Sequence, residues 1–282
     1  MGSGKFTVKR GTNTHTLLVG DCLDVIDGMP EESVDIIITD PPYNKGLNYG
    51  VFKDNMKDAE YLDYLSKRID KSLNVLKSTG SLYIMTYPEI AAELYMTLKN
   101  KVKFRRWITW HYPTNIGHSR KNFTRSQRTI LFYTKGDEYI FNRNEALAPY
   151  KNKTDRRVRQ LIKEGSAGRM MYDTIFNEDM GQSKLDDLLK FNLLKNVSKD
   201  REDGHPCQLP LNLLKLLIKV SSNDGDVVFD PFAGTFTTSL AAAECNRSSI
   251  GVDLNPKYVQ LGLKRFKTEG GLYEHNKRVY QK

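Results

Sequence analysis

Cysteine is scarce in this sequence, which has three in 282 residues: Cys22, Cys207 and Cys245. Cysteines so few and so far apart exclude a disulfide framework and argue against a zinc knuckle. The five histidines do not stand beside them at the spacing of metal ligands, so we expect no metal site.

Long apolar runs are also missing. No segment approaches the roughly 18 apolar residues that a membrane-spanning helix needs, and no charged-then-apolar N-terminal segment resembles a secretory signal. Hydrophobic residues make up 39% of the chain and aromatic residues 10%, a composition typical of a globular fold. We therefore expect a cytoplasmic protein that does not enter a membrane.

Acidic residues are outnumbered, since 34 Asp and Glu face 43 Lys and Arg, for a net charge of +9. The segment from Lys99 to Lys135 contains ten Lys or Arg and no acid. This pattern predicts a nucleic-acid-binding face, with a solvated basic surface as the alternative. The aromatic residues interleaved with these charges are Phe104, Trp107, Trp110, Tyr112 and Phe123.

Strand-like and helix-like segments alternate along most of the chain. Apolar, β-branched runs predict strands at 16–19, 34–39, 81–87, 107–112, 128–134, 227–229 and 249–252. Helical spacing predicts helices at 62–76, 89–99, 209–220, 237–245 and 257–266, with Gly80 ending the first of them. This alternation is typical of an α/β sheet.

The segment from 142 to 203 interrupts that alternation. It is polar and weakly periodic, with predicted helices at 154–164 and 184–194. We interpret it as a small, mostly helical insert. Residues 5–141 and 204–282 are then the two halves of a single domain.

The apolar strand at 34–39 runs directly into Asp40-Pro41-Pro42-Tyr43. Consecutive prolines remove backbone donors and leave carbonyls free at the carboxyl end of a strand, where open α/β sheets bind ligands. If the Asp40 carboxylate and the Pro41 carbonyl accept the two hydrogens of a ring-conjugated amino group, they favour the pyramidal nitrogen of a methylation transition state. Tyr43 is predicted to stack on a base flipped out of a duplex. The alternative is a purely structural turn at the end of the strand.

A second strand, at 227–229, ends at Asp230 and a turn of small residues. Gly234 in this turn allows close backbone approach to a ligand, and the N-terminus of the following helix favours a ligand carboxylate. Asp253 follows Gly234 by nineteen residues and is suited to bind ribose hydroxyls. Asp21, at the end of an earlier strand, is predicted to accept from an adenine amino group, with a helix N-cap as its alternative.

The order of these motifs resembles that of the β-group DNA amino-methyltransferases, the N6-adenine and N4-cytosine family of restriction–modification systems. Asp40-Pro-Pro-Tyr43 comes first, then the insert, then His205-Pro206-Cys207-Gln208, and last Asp230-Pro-Phe-Ala-Gly234. The resemblance covers nearly the whole chain. It implies a Rossmann-like seven-stranded methyltransferase sheet with helices on both faces, a circularly permuted motif order and a target-recognition insert.

The resemblance also implies an activity, a cofactor and partners. We expect site-specific methyl transfer from S-adenosylmethionine to adenine N6 in double-stranded DNA, after base flipping. A cognate restriction endonuclease and a homodimer are further expected partners. The residues expected to bind the cofactor are Asp21, Cys22, Asp40, His205, Pro206, Gln208, Asp230, Pro231, Phe232, Ala233, Gly234, Thr235, Thr237, Thr238, Asp253 and Leu254.

Two residues depart from the family pattern. Phe236 stands where the family usually has a second glycine, and Leu209 replaces the usual lysine after His-Pro-X-Gln. An aromatic side chain at position 236 is expected to narrow the methionine end of the cofactor pocket. The catalytic motif itself is intact.

DNA contacts are expected from three segments. The loop before the strand at 128–134 combines groups that bind phosphates with groups that read base edges, and the insert is the better candidate for sequence reading. Residues 45–55 contain two glycines and are predicted to be a mobile lid. The residues expected to contact DNA are Lys45, His118, Arg120, Lys121, Arg125, Lys151, Lys153, Arg156, Arg157 and Arg159.

Other functions fit parts of this pattern. The same two-acceptor chemistry serves cytosine N4, although cytosine enzymes more often carry Ser at the position of Asp40. RNA and protein-glutamine methyltransferases fit less well, because the latter usually have Asn before Pro-Pro-Tyr and a cofactor motif earlier in the chain. A sequence-specific DNA-binding protein with a degenerate catalytic pocket is the alternative from outside the enzymes.

Overall fold

The computed structural model describes residues 4–52, 54–111, 121–175, 209–268 and 272–274, which form an α/β fold around one large sheet. The sheet contains ten strands in the order β12-β1-β2-β11-β10-β3-β4-β6-β5-β9. These strands are β1 (Gly4–Arg10), β2 (Asn13–Val19), β3 (Val34–Thr39), β4 (Leu76–Thr86), β5 (Lys103–His111), β6 (Gln127–Thr134), β9 (Thr174–Ile175), β10 (Val227–Asp230), β11 (Ser248–Asp253) and β12 (Leu272–Glu274).

Seven helices accompany the sheet in the described part of the chain. They are α1 (Cys22–Asp27), α2 (Asp58–Val75), α3 (Pro88–Leu98), α4 (Arg156–Lys163), α5 (Leu211–Ser221), α6 (Thr237–Glu244) and α7 (Pro256–Thr268). No helix among the described residues combines the length and the apolar composition needed to cross a membrane.

The centre of the sheet has the predicted seven-stranded arrangement. Strands β2, β11, β10, β3 and β4 are parallel neighbours, and β6 runs antiparallel between β4 and β5. Three strands that were not predicted extend the edges: β1 and β12 beside β2, and β9 beside β5. The fold is therefore the expected α/β class with additional edge strands.

Helices cover both faces of the sheet, which is why its central strands are apolar on both sides. All six residues of β3 are buried. Ile37 packs in the core cluster that includes residues of α1, α2 and α3. Ile36 and Ile38 pack in the cluster that includes α5 and α6, and α7 closes a third cluster over β1 and β2.

Gly80 does not end α2, contrary to the prediction. The helix ends at Val75 and β4 begins at Leu76, with an irregular pairing between β3 and the first residues of β4. A Cβ on Gly80 would lie 2.5 Å from Cδ1 of Leu76 and 2.9 Å from the carbonyl oxygen of Lys77. The glycine is therefore explained by close packing inside this bulged strand and not by a helix terminus.

The described part of the insert packs against the domain. Strands β7 (Leu147–Ala148) and β8 (Arg169–Met170) form a small separate sheet, and β9 pairs with β5. The Asn142 side-chain amide donates to the backbone carbonyls of Lys219 and Ser222 at the end of α5. The predicted helix at 154–164 is confirmed as α4, whereas the one at 184–194 lies outside the described residues.

Candidate active site

Four adjacent parallel strands each end in an aspartate at the same edge of the sheet. In the spatial order β2-β11-β10-β3, these are Asp21, Asp253, Asp230 and Asp40. They are far apart in sequence and converge only because their strands are parallel neighbours. The carboxyl edge of such a sheet is where α/β proteins bind ligands.

A cleft of about 840 Å³, including its open mouth, lies at this edge. All four aspartates contribute to its lining. Most residues that the sequence predicted for a cofactor are brought together here. Those lining the cleft are Asp21, Cys22, Asp40, Asp230, Pro231, Phe232, Ala233, Gly234, Thr235, Thr237, Thr238, Asp253 and Leu254.

Asp253 links the two motifs on this side of the cleft. Its carboxylate accepts from the backbone N–H of Gly234 at 2.9 Å and from that of Asn255 at 2.7 Å. Burial raises the pKa of Asp253 to about 7, against the lowering effect of these two donors. Each carboxylate oxygen carries further lone pairs, so a ligand hydroxyl can still be accepted.

Asp230 holds the turn in shape. One oxygen accepts from the backbone N–H of Phe232 at 3.0 Å and the other from the Thr238 hydroxyl at 2.6 Å. Burial raises the pKa of Asp230 to about 7. Because both oxygens already bind donors of the turn, the geometry favours a supporting role for Asp230 at the floor of the cleft.

The Asp21 side chain caps α1 and also reaches the cleft. The two alternatives that the sequence left open, an N-cap and a cofactor ligand, are therefore compatible. Its Oδ1 accepts from the backbone N–H of Leu23 at 3.0 Å, so the side chain caps α1. Its Oδ2 forms an ion pair of 2.5 Å with the guanidinium of Arg68, and Asp21 also lines the cleft.

The sequence analysis missed Arg68 and Tyr64 of α2, both of which line the cleft. The Arg68 guanidinium lies 3.6 Å from the Tyr64 ring centroid. Arg68 is buried on the same face of the helix as Leu65 and Ile69. An arginine within an apolar helical stripe was the available signal, because a buried charge requires a partner.

Asp40 is buried beside a positive charge. Nη1 of Arg128, on β6, lies 3.9 Å from Oδ2 of Asp40, and the Tyr43 hydroxyl donates to Oδ1. Burial raises the pKa of Asp40 to about 6, although Arg128 and Tyr43 both act to lower it. From the sequence, Arg128 belongs only to the basic segment, because its contact with Asp40 depends on strand pairing.

Tyr43 is not placed as the stacking platform that was predicted. Its side chain is 1% exposed, its ring centroid lies 4.8 Å from that of Tyr87, and the Arg128 guanidinium lies 4.6 Å from it. A ring packed in this way has no face open to a flipped base. In this conformation Tyr43 instead orients Asp40 through its hydroxyl.

The two prolines of the motif differ in position. Pro41 is buried, whereas Pro42 lines the cleft and its carbonyl accepts from the Tyr61 hydroxyl at 2.5 Å. The predicted role of the Pro41 carbonyl as an acceptor stays a prediction.

The loop at 45–55 lies against the cleft, to which it contributes Tyr49, Val51 and Phe52. The buried Asp54 carboxylate accepts from the backbone N–H groups of Asn44, Lys45 and Leu47 at 2.7 to 3.0 Å. The Asn255 side chain donates to the carbonyl of Tyr49 at 3.0 Å. These bonds hold the described part of the loop against the wall of the cleft, and its movement as a lid stays a prediction.

Phe236 does not narrow the cleft, contrary to the expectation. It has a left-handed φ of 62°, which turns its fully buried side chain into the core between β11 and α7. A Cβ on Gly251 or on Gly262 would lie 2.7 Å from the Phe236 ring. Because these two glycines have no side chain, the Phe236 ring fills the space beside them. It does not reach the cleft lining.

Several predicted residues fall outside the described residues. His205, Pro206 and Gln208 of the cofactor set and His118 and Arg120 of the DNA set are among them. Leu209, the departure next to Gln208, is described and lines the cleft.

The basic segment from Lys99 to Lys135 is largely charge-compensated by acids from elsewhere in the chain. Arg125, for example, pairs with Glu89 of α3, and its guanidinium lies 4.1 Å from the Tyr87 ring centroid. Many charges of this segment are therefore paired within the protein, and its role as a nucleic-acid-binding face stays a prediction. Within the described ranges 99–111 and 121–135, the basic residues that contact an acid are Lys101, Lys103, Arg105, Arg106, Arg125, Arg128 and Lys135.

A different basic surface lies on the insert. Helix α4 begins at an N-cap, Asp155, whose side chain accepts from the backbone N–H groups of Arg157 and Val158. No residue of this helix is buried. The exposed predicted DNA contacts here are Lys151, Lys153, Arg156, Arg157 and Arg159, and Lys45 and Lys121 are also exposed.

A model of the DNA methylase family, which groups N6 and N4 enzymes, matches residues 34–264. The chain is 31% identical over 266 residues to the DNA adenine methyltransferase YhdJ of Escherichia coli (strain K12). That alignment covers 94% of this chain and 87% of the relative.

Two solved structures resemble the fold described above. The cytosine-N4-specific PvuII DNA methyltransferase matches with a TM-score of 0.64 at 18% identity, over 89% of this chain and 86% of that one. TTHA0409 of Thermus thermophilus, solved in complex with S-adenosyl-L-methionine, matches with a TM-score of 0.59 at 25% identity. That match covers 90% of this chain and 96% of that one.

Proposed function

This chain belongs to the N6/N4 DNA methylase family, and from this premise we propose that it transfers a methyl group from S-adenosylmethionine to adenine N6 in duplex DNA. The observation that carries the proposal is that Asp40 and Pro42 of the Asp-Pro-Pro-Tyr motif line the same cleft as Asp253 and the turn after Asp230. One motif supplies acceptors for an amino group and the other supplies acceptors for a ribose.

The lining of the cleft fits this cofactor. Asp253 offers carboxylate oxygens for ribose hydroxyls, and Asp21 offers one for the adenine amino group. Phe232 and Tyr64 provide aromatic surface for a purine ring. Several carboxylates around one cleft also favour a ligand with a positive sulfonium. When bound, the cofactor supplies an electrophilic methyl group.

The chemical work of the protein falls on Asp40. An ionised carboxylate accepts an amino hydrogen of the target base and so withdraws the nitrogen lone pair from conjugation with the ring. The low exposure of Asp40 strengthens this interaction, because the surrounding protein screens the carboxylate less than bulk water does. The hydrogen bond from Tyr43 fixes the direction in which the remaining lone pairs of Asp40 point.

Adenine is the proposed base, and cytosine N4 is the second candidate. An aspartate at position 40 and the similarity to a DNA adenine methyltransferase favour adenine. The similarity in fold to a cytosine-N4-specific enzyme keeps the second candidate open, because both amino groups use the same acceptors.

DNA is proposed to lie across the carboxyl edge of the sheet and against α4. The exposed arginines of this helix have the charge and reach for phosphate or base-edge contacts. Their position on the insert supports a role for this segment in target recognition.

The test separates the two halves of the site. We expect Asp40→Ala to lower the rate of labelled methyl transfer to duplex DNA by about a hundredfold or more, with little change in cofactor affinity. We expect Asp253→Asn to weaken cofactor binding by about tenfold to a hundredfold, because hydrogen bonds to a charged acceptor are lost. Isothermal titration calorimetry and single-turnover transfer measure the two effects, and thermal unfolding checks that both variants fold. Normal cofactor affinity in Asp253→Asn, with loss of affinity in Asp40→Ala, would contradict the proposal.

A further inference from the structure

Phe123 is the most exposed large apolar side chain in the described part of the chain. It is 98% exposed, whereas Tyr172, the next in this respect, is 65% exposed. Single exposed apolar residues are common and need no special explanation. The position of Phe123 relative to the catalytic motif is what sets it apart.

Phe123 lies just before β6, at the same edge of the sheet as the cleft. Strand β6 begins at Gln127 and runs antiparallel to β4, with Thr129 paired to Thr86 at the carboxyl end of β4. Since β4 is the parallel neighbour of β3, this end of the sheet is also the end that leads into Asp40. The loop that carries Phe123 therefore stands beside the site of the reaction.

A chain of contacts ties this loop to the catalytic motif. Arg125, two residues after Phe123, forms an ion pair with Glu89 and lies over the Tyr87 ring. Tyr87 packs on Tyr43, whose hydroxyl donates to Asp40. Because Arg125 is only two residues away, this anchor keeps the chain around Phe123 on the side of Tyr43 and Asp40.

Base flipping leaves a gap in the duplex, and an exposed aromatic side chain such as Phe123 can fill it. When a target base leaves the stack for the cleft, its neighbours lose their stacking partner and a gap opens in the duplex. DNA-binding proteins fill or open such gaps with apolar wedges, among them phenylalanine. The exposed Lys121, two residues before Phe123, suits a phosphate beside such a gap.

We propose that Phe123 enters the DNA stack and occupies the space left by the flipped base. The inference rests on the proposed function, since it requires a base that moves out of a duplex to the cleft. Phe123 is then a positioning residue: it makes no contact with the reacting atoms but favours the extrahelical state of the target.

The test compares two duplexes that contain the site mapped by sequencing DNA modified by the wild-type enzyme. In the first the target base is paired normally, and in the second it stands opposite an abasic site. We expect Phe123→Ala to slow single-turnover methylation of the paired duplex by about tenfold, and Phe123→Trp to keep a rate near that of the wild type. On the abasic duplex the difference between Phe123→Ala and the wild type should shrink to about twofold, because an unpaired target leaves the stack more easily.

Met96 offers a matched control, because it is 60% exposed on α3 and lines no part of the cleft. Met96→Ala should methylate both duplexes at the wild-type rate. Equal rates for Phe123→Ala and the wild type on the paired duplex would overturn the proposal, and so would an equal loss on both duplexes. Failure of the wild-type enzyme to methylate any DNA in the mapping step would overturn the proposed function, and the inference with it.

Discussion

At the scale of single residues, Asp40 is a carboxylate that the fold buries and also places beside a positive charge. Burial raises its pKa to about 6 and the neighbouring Arg128 acts to lower it. Arg128 is itself buried, with its guanidinium 5.7 Å from the Trp110 ring centroid and 4.6 Å from that of Tyr43. The pKa of Asp40 is thus set first by burial and then by an arginine held among aromatic rings.

This arrangement predicts the pH dependence of the reaction. Asp40 must be ionised to accept an amino hydrogen, so kcat should fall as pH falls through about 6. Arg128→Met removes a charge that lowers the pKa of Asp40, and we therefore expect the acid limb of the kcat profile to move to higher pH. Single-turnover rates between about pH 5 and pH 9 measure this limb.

Arg128→Lys is the control, because it keeps the positive charge. It should return the acid limb toward its wild-type position even if the rate stays lower. A uniform loss of rate in Arg128→Met, with no movement of the limb, would show that Arg128 acts only on packing.

Phe236 illustrates how a departure from a family pattern is accommodated by other residues. Its left-handed backbone is unfavourable for a non-glycine residue, yet its ring fills space beside Gly251 and Gly262. Gly251→Ala would place a Cβ 2.7 Å from Cε1 of Phe236 and 3.0 Å from Cβ of Ala233. We expect this variant to lower the free energy of unfolding by about 1–3 kcal/mol, measured by urea denaturation.

The second half of that test is a double-mutant cycle. In a Phe236→Ala background the clash between the new Cβ and the Phe236 ring is absent. Gly251→Ala should then be less destabilising by at least about 0.5 kcal/mol. Strictly additive effects would mean that the two positions do not share the space described above.

At the scale of elements, β3 and its neighbours position the chemistry, and α4 presents the surface. The four aspartates need only the parallel order of their strands to converge. Helix α4 has no buried residue, so the hydrophobic core does not explain its composition. We interpret its arginines as a contact surface for DNA.

Helix α4 therefore predicts the salt dependence of DNA binding. Replacing Arg156, Arg157 and Arg159 by Ala should reduce the slope of log affinity against log salt by up to about three, if each contacts one phosphate. Fluorescence anisotropy with a labelled duplex at a series of salt concentrations measures this slope. Lys101→Ala is the matched control, since Lys101 pairs with Asp70 and its loss should leave the slope unchanged. An unchanged slope in the triple variant would identify α4 as solvated surface.

At the scale of the whole molecule, the sequence predicts those features of the structure that depend on residues close together in the chain. The run at 34–39 predicts β3 to the residue, because five of its six positions are apolar or β-branched and Asp-Pro-Pro follows directly. The cleft could be predicted from the acids at strand ends, since parallel order brings them together. Strand β9 has two residues and no pattern of its own, so it was not predicted.

What the sequence did not predict depends on contacts between distant segments. The pairing of Arg128 with Asp40 follows from the antiparallel placement of β6, which no local signal specifies. The direction of the Phe236 ring follows from its φ angle and from two distant glycines. In the sequence, the segment from Lys99 to Lys135 carries only positive charges. The fold brings acids such as Asp137 and Asp173 to it.

The central claim is that this cleft methylates adenine N6 in duplex DNA, and one measurement tests it most directly. Purified enzyme is incubated with unmethylated duplex DNA and isotopically labelled S-adenosylmethionine, and the DNA is digested for nucleoside mass spectrometry. We predict labelled N6-methyladenine as the principal product, with its rate of formation lowered about a hundredfold or more in the Asp40→Ala variant. Labelled N4-methylcytosine in its place would contradict the choice of base, and the absence of any labelled nucleoside would contradict the proposed activity itself.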